Sequence, residues 1–226
     1  MYASIRQLNA RLQQHQLQEL VDEYPALNPQ QQAAQLQHLY LTAAQSEVKY
    51  LFLQNVASRL LQKVAIPLPV IAFINDLDKL SFFTPGLKFN NAFSRQDEHG
   101  NTLLHYLFSQ CEPEKLPFNY LRSLMLFESN EGLPIGLKQL NQQHLSAIGC
   151  FIVLNSITDM PEKHQFSALL AMMEVDQIHS TAASNALFKG LKQSYSHQTP
   201  HAYDCKVVLA AAYLQLSTEQ VLNMLS

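Results

Sequence analysis

His201, Asp204 and Cys205 lie within little more than one helical turn, and His201 and Cys205, four positions apart, fall on one helix face. Such a pair could act as a nucleophile with its base, or as half of a zinc site. A catalytic pair usually comes from separate elements, however, and no further Cys or His stands nearby at ligand spacing. The simpler reading is a buried small cysteine beside a helix-start histidine. His99, His144 and His179 recur at similar places in three related stretches. Three imidazoles could chelate a metal, but adjacent packed helices stand roughly 10 Å apart, too far for one ion to hold all three. They read as solvent-facing turn residues. Paired carboxylates occur at Asp76/Asp78, Glu112/Glu114 and Glu128/Glu131, none beside a base or nucleophile. No H-E-x-x-H, P-loop glycine pattern, G-x-S-x-G or C-x-x-C is found. No catalytic residue, metal ligand or cofactor is assigned, and the balance tips away from an enzyme.

The scaffold that would hold these residues is helical. Of 226 residues, 47% are hydrophobic, only 15% are charged, 24 are Gln and 6 are Gly. A Gly-poor chain rich in Leu and Gln favours helices over sheets. With 15 Lys plus Arg and a net charge of −3, it lacks the clustered cations that nucleic acid demands. Three cysteines, Cys111, Cys150 and Cys205, form no disulfide framework and point to a reducing, cytoplasmic setting. The opening residues lack a signal-peptide core, and no stretch approaches the 18 apolar residues of a membrane span.

Apolar spacing places a helical stripe over residues 2–24, ended by Pro25. Asn28-Pro29 supplies an N-cap and a first-position proline for a helix to about Ala44. Ser46 can cap another through Val64, carrying Val48, Leu51, Phe52, Val56, Leu60 and Leu61 inward. Val70–Leu80 reads as a shorter helix. Pro85-Gly86 and Asn90-Asn91 are turn signals, and the four Phe of residues 81–96 mark that stretch as an ordered connector. The segment Ser217-Thr-Glu-Gln220 is a capping-box pattern opening a last helix.

A weak internal repeat follows the connector. Asp97 to His105, Asn141 to Gly149 and Asp176 to Ser184 each carry Asp or Asn, then Ser or Thr five residues on, then a small or apolar run. Recurrence at 35 and 44 positions suggests a stacked helical array, since one helix pair cannot bury its own face. The first copy, Asp97-Glu98-His99-Gly100-Asn101-Thr102-Leu103-Leu104-His105, resembles the ankyrin repeat, with Leu103 where that family has proline. Leu124-Met125-Leu126 resembles the leucine pair of the family's outer helix. Thr102 suits a helix cap and Gly100 a left-handed turn. The resemblance implies that His105 ties neighbouring repeats together. The second copy has Ala147 and Gly149 where the family has proline and histidine, and the third keeps little beyond Asp176 and Thr181.

The expected fold is all-α: an N-terminal helical subdomain (1–80), the connector (81–96), and ankyrin-like repeats with a C-terminal capping helix (97–226). What the resemblance implies is a protein–protein interaction module or adaptor. Its partner-binding residues would be the turn tips Gln96, Glu98, His99, Gln142, Gln143 and His144. The partner would be a protein, with neither nucleic acid nor membrane involved, and monomer and dimer both stay open. Two other readings stand beside it: an enzyme with a site in the cleft between subdomain and repeats, and a bacterial effector adaptor acting on a host protein.

Overall fold

The structure is a computed structural model. It describes residues 18–45, 47–64, 67, 70, 74, 77–89, 91–110, 118–127, 132–155, 157, 160–176, 180–195 and 200–226. Among the described residues there is no strand, and the fold is all-α. No described helix is long and apolar enough to cross a membrane.

Local chemistry explains where the first helices begin and end. Helical residues 18–23 run into a 3-10 turn, Tyr24–Ala26, at Pro25, and they bury Val21 and Tyr24. Asn28 caps α1 (Pro29–Ala44) through a reciprocal box. Its Oδ1 accepts from the Gln31 backbone N–H at 2.9 Å, and Gln31 Oε1 accepts from the Asn28 N–H at 3.1 Å. Helix α2 (Glu47–Lys63) buries Val56, Ala57, Leu60 and Leu61. Leu51 and Phe52, expected inward, are instead 68% and 42% exposed, because α2 meets α1 and α3 on a narrower stripe than the sequence suggests. The expected Ser46 cap lies outside the described residues.

Helix α3 (Leu77–Phe89) corrects one expectation, since Pro85-Gly86 lies inside it rather than forming a turn. Residues 71–73 and 75–76 of the expected Val70–Leu80 helix lie outside the described residues. Proline at position 85 removes the N–H that would bond the Ser81 carbonyl. Gln54 Nε2 of α2 donates to that carbonyl at 3.3 Å, so the broken rung is repaired from the neighbouring helix. Gly86 has no side chain because α2 crosses directly over it. A Cβ there would stand 2.6 Å from Leu61 Cδ1 and 3.0 Å from Ser58 Cα. The turn comes at Asn91, whose φ of 51° lets the chain reverse after α3.

The rest of the chain supplies α4 (Leu103–Gln110), α5 (Phe118–Phe127), α6 (Gly132–Lys138), α7 (Ala147–Leu154), α8 (Lys163–Asp176), α9 (Thr181–Tyr195), α10 (Pro200–Leu214) and α11 (Thr218–Leu225). Helix α4 packs on α7, and α7 on α9. In a second row α5 packs on α8, and α8 on α10. Phe108, Phe118 and Phe151 lock α4, α5 and α7 together, with ring centroids 5.5 to 6.5 Å apart at steep angles. The Asn155 side-chain amide adds a hydrogen bond to the Phe108 carbonyl. Helix α11 closes against α9 and α10, capped by Ser217 and Gln220 as its sequence predicts. One apolar core runs from Val21 to Val221.

Candidate protein-binding groove

Two loops precede α4 and α7, and they are built alike. Asp97 and Asn141 each open a tight turn in which the backbone N–H bonds the carbonyl four residues on, at 2.9 Å in both. The Asp97 carboxylate accepts from the N–H groups of His99 and Asn101, both at 2.9 Å. The Asn141 carbonyl oxygen does the same for Gln143 at 2.9 Å and Leu145 at 3.1 Å. Such turns suit Asp and Asn because a short side chain can imitate a backbone acceptor. The fourth residue is left-handed in each, Gly100 at φ 76° and His144 at φ 58°. Gly100 has a second reason to be glycine: a Cβ would lie 3.1 Å from Asn141 Cα.

The turns are bonded edge to edge. Gln142 N–H donates to the His99 carbonyl at 3.0 Å, and Gln142 Nε2 to the Glu98 carbonyl at 2.7 Å. Gln96 Nε2 donates to the Gly100 and Leu140 carbonyls at 2.7 and 3.1 Å. Asn141 Nδ2 reaches Asn101 Oδ1 at 3.0 Å.

His105 makes the tie its resemblance implied. Its Nδ1 accepts from the Thr102 N–H at 3.0 Å, so that nitrogen carries no proton. The proton therefore sits on Nε2, which donates to the Leu145 carbonyl of the second turn at 3.1 Å. The Thr102 hydroxyl lies 2.9 Å from the same Nδ1, so it serves the ring. Burial holds the imidazole pKa below its ordinary value, against the opposing pull of the Leu145 carbonyl. Burial also opposes ionisation of Asp97, but the Tyr106 hydroxyl and the Asn101 and His99 N–H groups outweigh it, and the carboxyl lies below its usual range. Burial and the Asp97 carboxylate push the Tyr106 phenol up to about 12.

Gly149 stands where the first copy has His105, so Ser146 takes a different set of partners. Its Oγ accepts from the Gly149 N–H at 3.1 Å and donates to Asp176 Oδ2 at 2.7 Å. The Tyr213 hydroxyl donates to the same carboxylate oxygen. All three side chains are buried, and together they link the start of α7 to α8 and α10. In the third copy Ser180, not Thr181, caps the helix, its Oγ accepting from the Ala183 N–H at 3.1 Å. His179 lies outside the described residues.

Beside these turns runs a concave surface. A groove of about 660 Å³ lies between the second turn and the α7–α9 face. Gln142, Gln143 and His144 of the second turn line it, with Leu154 of α7 and Asn185, Ala186, Lys189 and Gln193 of α9. Its described lining holds one ammonium group and no carboxylate. A second hollow of about 320 Å³ adjoins it, lined by His99, Asn101, Tyr106 and Ser109 and sharing Gln142, Gln143 and Leu154. Of the six turn-tip residues, four therefore line the concave surface: His99, Gln142, Gln143 and His144. Gln96 and Glu98 are exposed but outside both hollows. Leu154, Lys189 and Asn185 escaped sequence reasoning. The available signal was the spacing of Asn185, Lys189 and Gln193, one polar stripe beside the small residues Ala182, Ala186 and Gly190.

Cys150, beside Asn141, is buried, and burial pushes its thiol up to about 12, far from a reactive thiolate. Cys205 is buried while His201 and Asp204 are exposed. Among the described residues no group of three His, Cys, Asp or Glu side chains is placed to hold a metal ion. No protein-family model, curated protein or solved structure matches this chain.

Proposed function

We propose that this chain is a protein-interaction module, in which α4 to α10 form an ankyrin-like stack and the concave surface beside the two turns receives a protein partner. The observation that carries the reading is the bond-for-bond likeness of the turns at Asp97 and Asn141, joined edge to edge beside a groove of about 660 Å³. Rigid turns tied into the core hold their outward side chains ready, so little ordering entropy is lost on binding. The exposed Leu154, 54% accessible in the groove lining, is the natural apolar anchor, with amides and Lys189 in the same lining. A protein fits better than nucleic acid, since acidic residues outnumber Lys plus Arg by 18 to 15. The buried Cys150 thiol suits a reducing, cytoplasmic setting.

The test is affinity capture from native lysate with the full chain and with a His99→Ala, Gln143→Arg variant. A partner held by the wild type and lost by the variant, at equal melting temperature, supports the reading. Equal retention by both removes the turn tips from the binding surface.

A further inference from the structure

A separate pocket of about 430 Å³ opens where α1, α2 and α3 meet, away from the groove. Two aromatic rings line it, Tyr40 of α1 and Tyr50 of α2. Two carboxylates join them, Glu47 at the start of α2 and Asp78 at the start of α3. Ala43 and the strongly exposed Leu51 complete an apolar wall, and none of its described lining residues is Lys, Arg or His.

The rings are held in place. Both pack edge-on against the fully buried Phe82, with centroids 5.6 Å away for Tyr40 and 5.4 Å for Tyr50. Tyr40 also meets Phe83 at 6.4 Å. The Tyr50 phenol is raised by burial, against a hydrogen bond from Ser81, with the Asp78 carboxylate and Tyr120 adding to the rise.

Acidic residues in a first helical turn have a local reason, since the helix N-terminus carries about half a positive charge. Two such ends contribute about one positive charge against two carboxylates, which leaves the pocket with about one net negative charge. Neither carboxylate has an ion-pair partner among the described residues. An anion would be repelled. A divalent metal seeks six or more oxygen ligands and would find two carboxylates among aromatic rings. Both carboxylates are exposed, so they act on a guest from the rim of the pocket.

We infer that this pocket binds a small organic cation of the alkylammonium class, its charged head between Tyr40 and Tyr50 and facing Glu47 and Asp78. Aromatic rings attract a desolvated ammonium through their quadrupole, and methylated ammonium groups shed water most easily. The volume lies in the range of small-molecule sites.

The test is calorimetric titration of the full chain with choline and with its neutral isostere 3,3-dimethylbutan-1-ol. Choline should bind saturably, and the alcohol at least about tenfold more weakly. Asp78→Asn and Glu47→Gln keep the shape and should each weaken choline about three- to tenfold. Tyr50→Phe keeps the ring and should bind as wild type, whereas Tyr50→Leu should lose about fivefold or more. Equal binding of alcohol and choline, unchanged affinity in the Asp78→Asn, Glu47→Gln double variant, or no saturable choline binding would each overturn the inference. A trimethyllysine peptide that binds more tightly than choline would overturn the small-molecule assignment and move the site to a protein side chain.

Discussion

Replacing His105 by Leu preserves most of the buried volume and deletes both ring bonds. The Thr102 N–H, 3.0 Å from Nδ1, and the Leu145 carbonyl, 3.1 Å from Nε2, then lose these partners inside a site where His105 is 2% exposed. The Leu145 carbonyl keeps the Asn141 N–H at 2.9 Å, so the Thr102 N–H is the group left orphaned, at a cost of about 1–3 kcal/mol. Chemical denaturation at pH 7 should show that loss at unchanged m-value. The pH dependence supplies an independent reading. Burial lowers the His105 pKa in the folded protein relative to 6.5, so below about pH 6.5 the unfolded chain binds the extra proton. Stability therefore falls with acid from about pH 6.5 down to the folded pKa, by at most about 1.4 kcal/mol per pH unit. Asp97 acts in a separate window, below its ordinary 3.8, because its folded pKa is the lower one. The gap between wild type and His105→Leu should thus narrow from pH 7 to pH 5. A loss below about 0.5 kcal/mol at pH 7, or two parallel curves, would refute the argument.

Further expectations follow from the same packing. Tyr213→Phe removes a buried donor to Asp176 and should cost about 1–3 kcal/mol by denaturation. Gly136→Ala should cost about 2 kcal/mol or more, because its Cβ would run into the Phe93 carbonyl oxygen and force backbone to move. Gly149→Ala meets only the flexible Leu145 Cδ2 at 3.3 Å and should stay within about 1 kcal/mol of wild type. Lys206 is fully buried with Nζ 2.8 Å from the Val153 carbonyl, and burial lowers its pKa from 10.5 to about 8. Between those two values the unfolded chain holds the proton that the folded chain has released, so wild type should gain stability relative to Lys206→Met as pH rises from 8 to 10.5.

Legibility in the sequence tracked the range of the interaction. Asn28 and Ser217 were readable as caps because their partners, Gln31 and Gln220, lie three residues on. The Asp97 turn was readable for the same reason, and its likeness to a known repeat pointed to the tie at His105. Pro85-Gly86 was misread because what permits it, Gln54 and Leu61, arrives from another helix. Leu51 and Phe52 satisfy helical periodicity, and only the arrangement of α1 and α3 leaves them exposed. The Ser146–Asp176–Tyr213 network spans 67 positions and leaves no local pattern. Of the groove's lining, the turn tips Gln142, Gln143 and His144 were legible in the sequence, while Leu154 and Lys189 became visible only when α7 and α9 were laid side by side.

The groove can be tested against a surface outside it. Leu154 in the groove lining and Leu126 on α5 are similarly exposed apolar residues, at 54% and 61%, and of the two only Leu154 lines a groove. With a captured partner in hand, its affinity should be measured for wild type, Leu154→Arg and Leu126→Arg at matched melting temperature. Partner docking in the groove predicts a loss of about 2 kcal/mol or more, roughly thirtyfold, for Leu154→Arg and wild-type affinity for Leu126→Arg. Unchanged binding by Leu154→Arg, with loss confined to Leu126→Arg, would contradict it.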